Sequence, residues 1–331
     1  MIVSRAPVRF SLGGGGTDLP AYASRHGGFV ISAAIDKYVY VCANRRFYSD
    51  IRLAYAKTEI APELDRIEHP IFREALRLVG IERGIELVSV ADLPSNSGLG
   101  SSSSFTVALL NALHAYRRDY VSSRQLAEEA CHLEIDVLRE PCGRQDQYIA
   151  AFGGVAAMHF HPDGSVEIEP VRARPEVLDE LEQNLVVVYS GTERPARVVL
   201  AEQGAKLDEL DEDATSRMHR IKALGHEVLR LLETGEVDLY GELLQEHWTA
   251  KRRVTSSMSD GTLDEHYEAA RRAGAIGGKL MGAGGGGFFM FYVRPGERRS
   301  FVEAMAARGL RLLRFRFDEG GARIVANMHD T

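Results

Sequence analysis

The residues best suited to chemistry sit in short glycine-bearing stretches. The most informative is Pro94-Ser-Asn-Ser-Gly98-Leu99-Gly100-Ser101-Ser102-Ser103-Ser104, followed at once by an apolar helical pattern. Glycines let a backbone approach a ligand closely. Unpaired N–H groups of a first helical turn face such a loop, and the helix dipole favours an anion there. Serine hydroxyls add donors, and one can ligate a metal. The stretch suits a triphosphate, although a serine-rich cap on a flexible turn reads the same way. It is not an ordinary P-loop. The nearest string, Gly274 to Lys279, has the wrong spacing and is followed by leucine.

Two carboxylates stand out next. Glu134 has Ala130, Cys131, Val137 and Leu138 at helical spacing, which places it on a buried face. A buried carboxylate must be paired, protonated or bound to a metal. Magnesium held with substrate phosphates takes one or two protein oxygens, and a salt bridge to an arginine is the competing reading. Asp146 follows in the loop Cys142-Gly-Arg-Gln-Asp-Gln147. There it can accept a proton from a hydroxyl nucleophile or simply close an Asx turn.

Two further glycine runs complete the set. Lys279-Leu-Met-Gly-Ala-Gly-Gly-Gly-Gly287 has five glycines in six positions, which implies close backbone approach or a hinge. Pro7-Val-Arg9-Phe-Ser-Leu-Gly13-Gly-Gly-Gly-Thr17-Asp18 ends a strand in a loop and an acid. Arg9 offers a cation to phosphate and Asp18 an acceptor to hydroxyls, but a strand-end ion pair explains both equally well.

The elements that must position these residues read as strands over 8–12, 29–33, 38–43, 51–55 and 85–90, with helices over 71–79, 103–116 and 123–140. Pro141 and Gly143 end the last of these. A buried strand over 185–189 begins a second unit, helices with solvated acidic faces fill 195–253, and strand 288–293, helix 298–308 and strands 312–317 and 323–327 close the chain. Strands mixed with helices in this way predict an α+β fold. The 331 residues carry a net charge of −7 with 45% hydrophobic residues, which disfavours a duplex nucleic-acid partner. Three cysteines without CxxC spacing fit a reducing compartment. With no signal-like or membrane-length apolar run, a cytoplasmic protein without a membrane partner is expected.

Taken in order, Pro7 to Asp18, Pro94 to Ser104 and Lys279 to Gly287 resemble the three motifs of the GHMP kinases, the superfamily of galactokinase, homoserine kinase and mevalonate kinase. The resemblance implies a two-domain fold. Residues 1–182 would form an N-terminal domain like the second domain of ribosomal protein S5, and 183–331 a ferredoxin-like C-terminal domain. It implies ATP and Mg2+ as cofactors. Pro94, Gly98, Leu99, Gly100, Ser101, Ser102 and Ser103 would hold the nucleotide, and Ser102 and Glu134 the metal. Asp146 and Arg9 would be catalytic. Asp18, Gly14, Gly15, Thr17, Lys37, Arg144, Gly284 and Gly285 would hold the substrate. The run Arg5 to Pro20, with Gly27-Gly28 and Ile35 to Tyr38, is similar to the heptose 7-phosphate kinases, which implies phosphorylation of an anomeric hydroxyl on a phosphorylated sugar. Galactokinases carry Glu-His where this chain has Gly15-Gly16, whereas fucose kinases share the glycine-rich form. Two rivals of another kind are a non-catalytic ligand-binding relative and a nucleotide-dependent decarboxylase. A monomer or a homodimer fits the reading equally.

Overall fold

The computed structural model describes residues 1–95, 97–192, 196–209, 211–254 and 261–328. Among these, twelve strands form two sheets. The strands are β1 (Ile2–Gly13), β2 (Gly28–Arg45), β3 (Ile51–Ala54), β4 (Thr58–Ala61), β5 (Ile85–Ala91), β6 (Val155–Phe160), β7 (Val166–Pro170), β8 (Leu185–Tyr189), β9 (Ala275–Leu280), β10 (Phe288–Val293), β11 (Arg311–Leu313) and β12 (Arg323–Asn327). The helices are α1 (Pro20–His26), α2 (Pro70–Val79), α3 (Ser101–Arg117), α4 (Ser123–Cys131), α5 (Gln145–Phe152), α6 (Pro175–Asn184), α7 (Ala196–Asp208), α8 (Glu212–Thr234), α9 (Tyr240–Lys251), α10 (Gly261–Arg272) and α11 (Arg298–Ala307).

The first sheet runs β12-β1-β2-β5-β3-β4, with β6 and β7 added beside β2. Its two predicted strands over 29–33 and 38–43 are one strand, β2, which changes partner midway. Gly28–Ala33 pairs with β6, and Val39–Arg45 pairs with β5. The polar pair Asp36-Lys37, which reads as a break in the sequence, marks that change of partner. The second sheet, β11-β8-β10-β9, is antiparallel throughout, as expected of the ferredoxin-like unit.

Period-two alternation assigns the strands of the second sheet to two cores. Val187, Met290 and Tyr292 pack toward β1, β2, α8 and α9. Val186, Phe289 and Phe291 pack against Trp248, Tyr267 and Phe301. A third core fills the space between the first sheet and α2–α5. The first sheet is therefore covered on both faces, and its long strands read as nearly continuous apolar runs.

Two other expectations change shape. The helix predicted over 123–140 is α-helical to Cys131 and then a π-helical turn, His132–Val137. The strand predicted over 312–317 is only β11, with Phe317 making an isolated bridge to Ile35. The last strand, β12, pairs with β1, so the chain's end is built into the first sheet and not the second.

Candidate active site

Two cavities meet at one ion pair. Arg9, on β1, lies 5% exposed. Its Nε and Nη2 donate to the two carboxylate oxygens of Asp146 at 2.7 and 2.8 Å, and its Nη1 donates to the Gly98 carbonyl at 2.7 Å. This is a bidentate, charge-assisted pair with a fixed orientation. Asp146 sits in the first turn of α5, where the helix dipole favours a negative charge. Arg9 and Asp146 line both cavities.

The larger cavity, about 320 Å³, is lined by Gly98, Gly100, Ser101, Ser102 and Ser103 of the second glycine stretch and by Glu134. The first turn of α3 forms its floor. Gly100 precedes that turn in a left-handed conformation and offers no side-chain cap, so the first N–H groups are left for a ligand. The third glycine stretch closes over the second. A Cβ on Gly282 would land on the carbonyl oxygen of Gly98, and one on Gly287 on that of Ser97. The close approach read from the five glycines is thus partly loop on loop, with Gly282 and Ala283 also lining both cavities.

Glu134 is buried at 3% exposure, as its helical spacing implied. No arginine pairs with it among the described residues. Three neutral donors hold it instead: Ser103 Oγ at 2.7 Å, Thr106 Oγ1 and Gln147 Nε2. The π-helical turn delivers it there, a distortion frequent at functional sites. Burial pushes its carboxyl above the usual range, opposed by these hydrogen bonds. Ser102 opens on the same cavity and is exposed.

The deeper cavity, about 60 Å³, is lined by Gly15, Gly16, Asp18, Gln145, Lys251 and Lys279 among others. Asp18 is 3% exposed and accepts from the N–H groups of Gly16 and Gln145 and from the Gln145 amide, at 3.0 to 3.1 Å. Burial raises its carboxyl, the charge of Asp146 adds to this, and the main-chain bonds oppose it. Gly143 allows the packing, since a Cβ there would collide with the Asp18 carboxylate.

The expected residues divide as follows. Gly98, Gly100, Ser101, Ser102, Ser103 and Glu134 converge on the large cavity, and Gly15 and Asp18 on the deep one. Pro94 is exposed outside both, and Leu99 points into the core while its carbonyl accepts from the Arg9 N–H at 3.0 Å. Thr17 and Gly14 are structural: the Thr17 hydroxyl bridges the carbonyls of Gly14 and Phe29, and Gly14 packs on Phe29. Lys37 is engaged by Asp36 at 2.7 Å, away from either cavity. Arg144 donates to the Gly164 carbonyl and lines a separate 210 Å³ cavity that shares only Asp18 with the deep one. Gly284 and Gly285 are buried at positive φ and line neither cavity.

Sequence reasoning missed Gln145, Lys251 and a role for Lys279. A signal existed. Leu244, Trp248 and Lys251 share one helical stripe, and Lys279 interrupts the apolar strand Ala275–Leu280. Both lysines are buried, at 7% and 2% exposure. Burial brings the Lys251 amine down to about 8, with Arg9 pushing the same way and Asp18 and Asp146 opposing. Burial also pushes Lys279 well down, helped by Lys251 and Arg9.

The GHMP kinases N terminal domain matches residues 67–154, and the GHMP kinases C terminal domain matches 228–310. A D-glycero-alpha-D-manno-heptose 7-phosphate kinase of Campylobacter jejuni is 28% identical over 92% of this chain and 93% of its own. A crystal structure named as a D-glycero-D-manno-heptose 1-phosphate kinase from Bacteroides thetaiotaomicron superposes with a TM-score of 0.83 at 25% identity, covering 99% of this chain and 100% of that one. A bifunctional fucokinase/GDP-fucose pyrophosphorylase of Arabidopsis thaliana is 26% identical over 88% of this chain but only 30% of its own. With both family domains in order on one α+β scaffold, and the three glycine stretches gathered around the Arg9–Asp146 pair, the chain belongs to the GHMP kinases.

Proposed function

We propose that this protein is an ATP-dependent sugar kinase. It transfers the γ-phosphoryl group to the anomeric hydroxyl of D-glycero-D-manno-heptose 7-phosphate, giving the 1,7-bisphosphate. The observation that carries the reading is Asp146, held by Arg9 on the wall shared by a phosphate-sized loop site and a polar deep cavity. An acceptor hydroxyl in the deep cavity would face a γ-phosphate in the large one across that carboxylate.

Phosphoryl transfer needs positioning and charge neutralisation more than covalent help. The anomeric oxygen forms the new P–O bond as the bond to ADP breaks. The hydroxyl proton passes to Asp146 or is lost to solvent with Asp146 orienting the oxygen. Arg9 keeps the carboxylate aimed and donates near the transferring group. The glycine-serine loop and the first N–H groups of α3 hold the phosphates.

Ser102 and Glu134 are the residues that would hold magnesium. Glu134 fits the role because it is a buried carboxylate with neutral donors only, and a cation would offset that burial. Among the described residues no group of three or more His, Cys, Asp or Glu side chains could hold a metal on its own, so phosphate oxygens would complete the shell. When bound, the ion would neutralise the β- and γ-phosphate oxygens.

The test is kcat/KM for heptose 7-phosphate beside mannose 6-phosphate, fucose and galactose, with ATP and magnesium. Preference for heptose 7-phosphate is expected. Equal or better activity on fucose moves the assignment to the fucose kinase branch. Absence of ATP-dependent phosphorylation with every sugar overturns it.

A further inference from the structure

The deep cavity carries more cation than its carboxylates can absorb. Both oxygens of Asp146 are engaged by Arg9. Asp18 is engaged by three N–H donors from Gly16 and Gln145. Neither lysine has an ion-pair partner among the described residues. Lys251 gives one hydrogen bond, to the Gly282 carbonyl. Lys279, 2% exposed, lines the cavity with no hydrogen-bond partner among the described residues. A buried, unpaired ammonium is costly. Two of them facing one small space, beside an arginine, form a site that a dianion would complete.

We propose that Lys251 and Lys279 bind the phosphate already carried by the acceptor sugar, on the side of the Arg9–Asp146 pair away from the nucleotide. The inference rests on the reading of the acceptor as a phosphorylated sugar and names the residues that select it. Both lysines line only the deep cavity, whereas Ser101 and Glu134 line only the large one. The neighbouring 210 Å³ cavity is a poorer host. Its Arg144 is bonded to the Gly164 carbonyl, and its Asp163 carboxylate is kept anionic by Ser165. The other cations that the sequence offered lie elsewhere. Arg46 pairs with Asp50, Arg45 is exposed, Arg197 lines the large cavity beside Glu140, and Arg194 falls outside the described residues.

The experiment measures kcat and KM for heptose 7-phosphate and for unphosphorylated heptose in the wild type, Lys251→Met and Lys279→Met. Methionine keeps the stem and removes the charge. The expected result is a fall of roughly 10- to 100-fold per lysine in the ratio of the two kcat/KM values, carried by KM of the phosphorylated sugar. Thermal protection of the nucleotide-free protein by inorganic phosphate should weaken in parallel. Lys251→Gln and Lys279→Gln stand in for any methionine variant that fails to fold. Loss of kcat on both acceptors with the ratio intact would assign the lysines to the transferring phosphoryl group and overturn the proposal. An unchanged ratio in a wild type that prefers heptose 7-phosphate overturns it alone. A wild type with no preference for the phosphorylated sugar overturns the substrate reading and this site with it.

Discussion

On the large-cavity side of Asp146 the wall is mostly main chain and hydroxyl: Gly98, Gly100, three serines, and Glu134 among neutral donors, with Arg197 beside Glu140. On the deep side it is charge: Arg9, Asp18, Lys251 and Lys279, all less than a tenth exposed. The first side is made by local sequence, a loop feeding a helix, and it suits the polyphosphate common to every nucleotide. The second gathers β1, α9 and β9 from opposite ends of the chain. It suits a ligand that differs between relatives, because buried charges reject whatever fails to pair with them. On the proposed reading, generic recognition would sit in the main chain, and selective recognition in scattered side chains.

The Arg9–Asp146 pair joins the two sides, so breaking it should have the largest effect. Asp146→Asn is expected to lower kcat by about 10²- to 10⁴-fold if Asp146 is the general base. An ATP analogue should still bind, since the phosphate loop is untouched. The melting temperature should also fall, because Arg9 loses one arm of a bidentate partner. Single-turnover rates beside calorimetric binding of the analogue check this. Near-normal turnover removes Asp146 from the mechanism.

Glu134→Gln probes the neutral side. The magnesium concentration for half-maximal rate should rise about tenfold or more, the scale of one lost charge-assisted contact. Stability should not collapse, because no buried cation is left unpaired. The carboxyl is raised by burial, so above its ordinary value of 4.5 the charged form costs stability. That loss builds as pH rises from 4.5 and is complete once pH has passed the folded value, and it should be absent from the glutamine variant. A magnesium titration beside melting scans at several pH values reads both. An unchanged magnesium requirement with a large loss of stability would make Glu134 structural.

Gly282→Ala tests whether the third glycine stretch serves the second. Its φ is +67°, and its Cβ would meet Gly98. Strain of about 1–3 kcal/mol is expected, read as a lower melting temperature together with a higher KM for ATP. Gly191→Ala is the control, having a φ of +77° but open space around it. It should lower stability without moving KM. Equal KM for ATP in both variants would separate the third stretch from the nucleotide.

How much of this was legible follows the same division. The α3 loop, the buried face of Glu134 and the glycine-rich closure could be read because each lies within one short window. The continuity of β2 could not, since Asp36-Lys37 looks like a break until β5 and β6 are known to share that strand. Nor could the roles of Thr17 and Lys37 be read. A hydroxyl in a glycine loop and a lysine after an aspartate look like ligands, yet one ties Gly14 to Phe29 and the other folds back on Asp36. Lys251 and Lys279 are 28 residues apart in sequence, and only the packing of α9 on β9 makes them neighbours.

The smallest effect expected concerns pH, and its sign separates the two sides. The Lys251 amine is near 8 in the folded protein, against about 10.4 unperturbed. Its charged form is disfavoured by burial and by Arg9, and Lys279 and His247 nearby are pushed down as well. Between about 8 and 10.4 the unfolded chain binds more protons at this site, so its contribution to nucleotide-free stability rises with pH. Below 8 both states are protonated, and the site disfavours folding by a constant amount. Binding of a phosphorylated acceptor should change in the opposite sense. Affinity should hold below 8 and fall as Lys251 loses its proton, while affinity for an ATP analogue, held by main chain and hydroxyls, should change less. Asp18 and Asp146 face the same space, and their carboxylates oppose the downward push on the Lys251 amine. The check is melting temperature and dissociation constants for the sugar phosphate and the analogue from pH 7 to 10, in the wild type and in Lys251→Met. The methionine variant should flatten the sugar-phosphate curve above pH 7.5 and remove the rise in stability. Parallel decline of both ligands in both proteins would mean that the deep cavity does not titrate with Lys251.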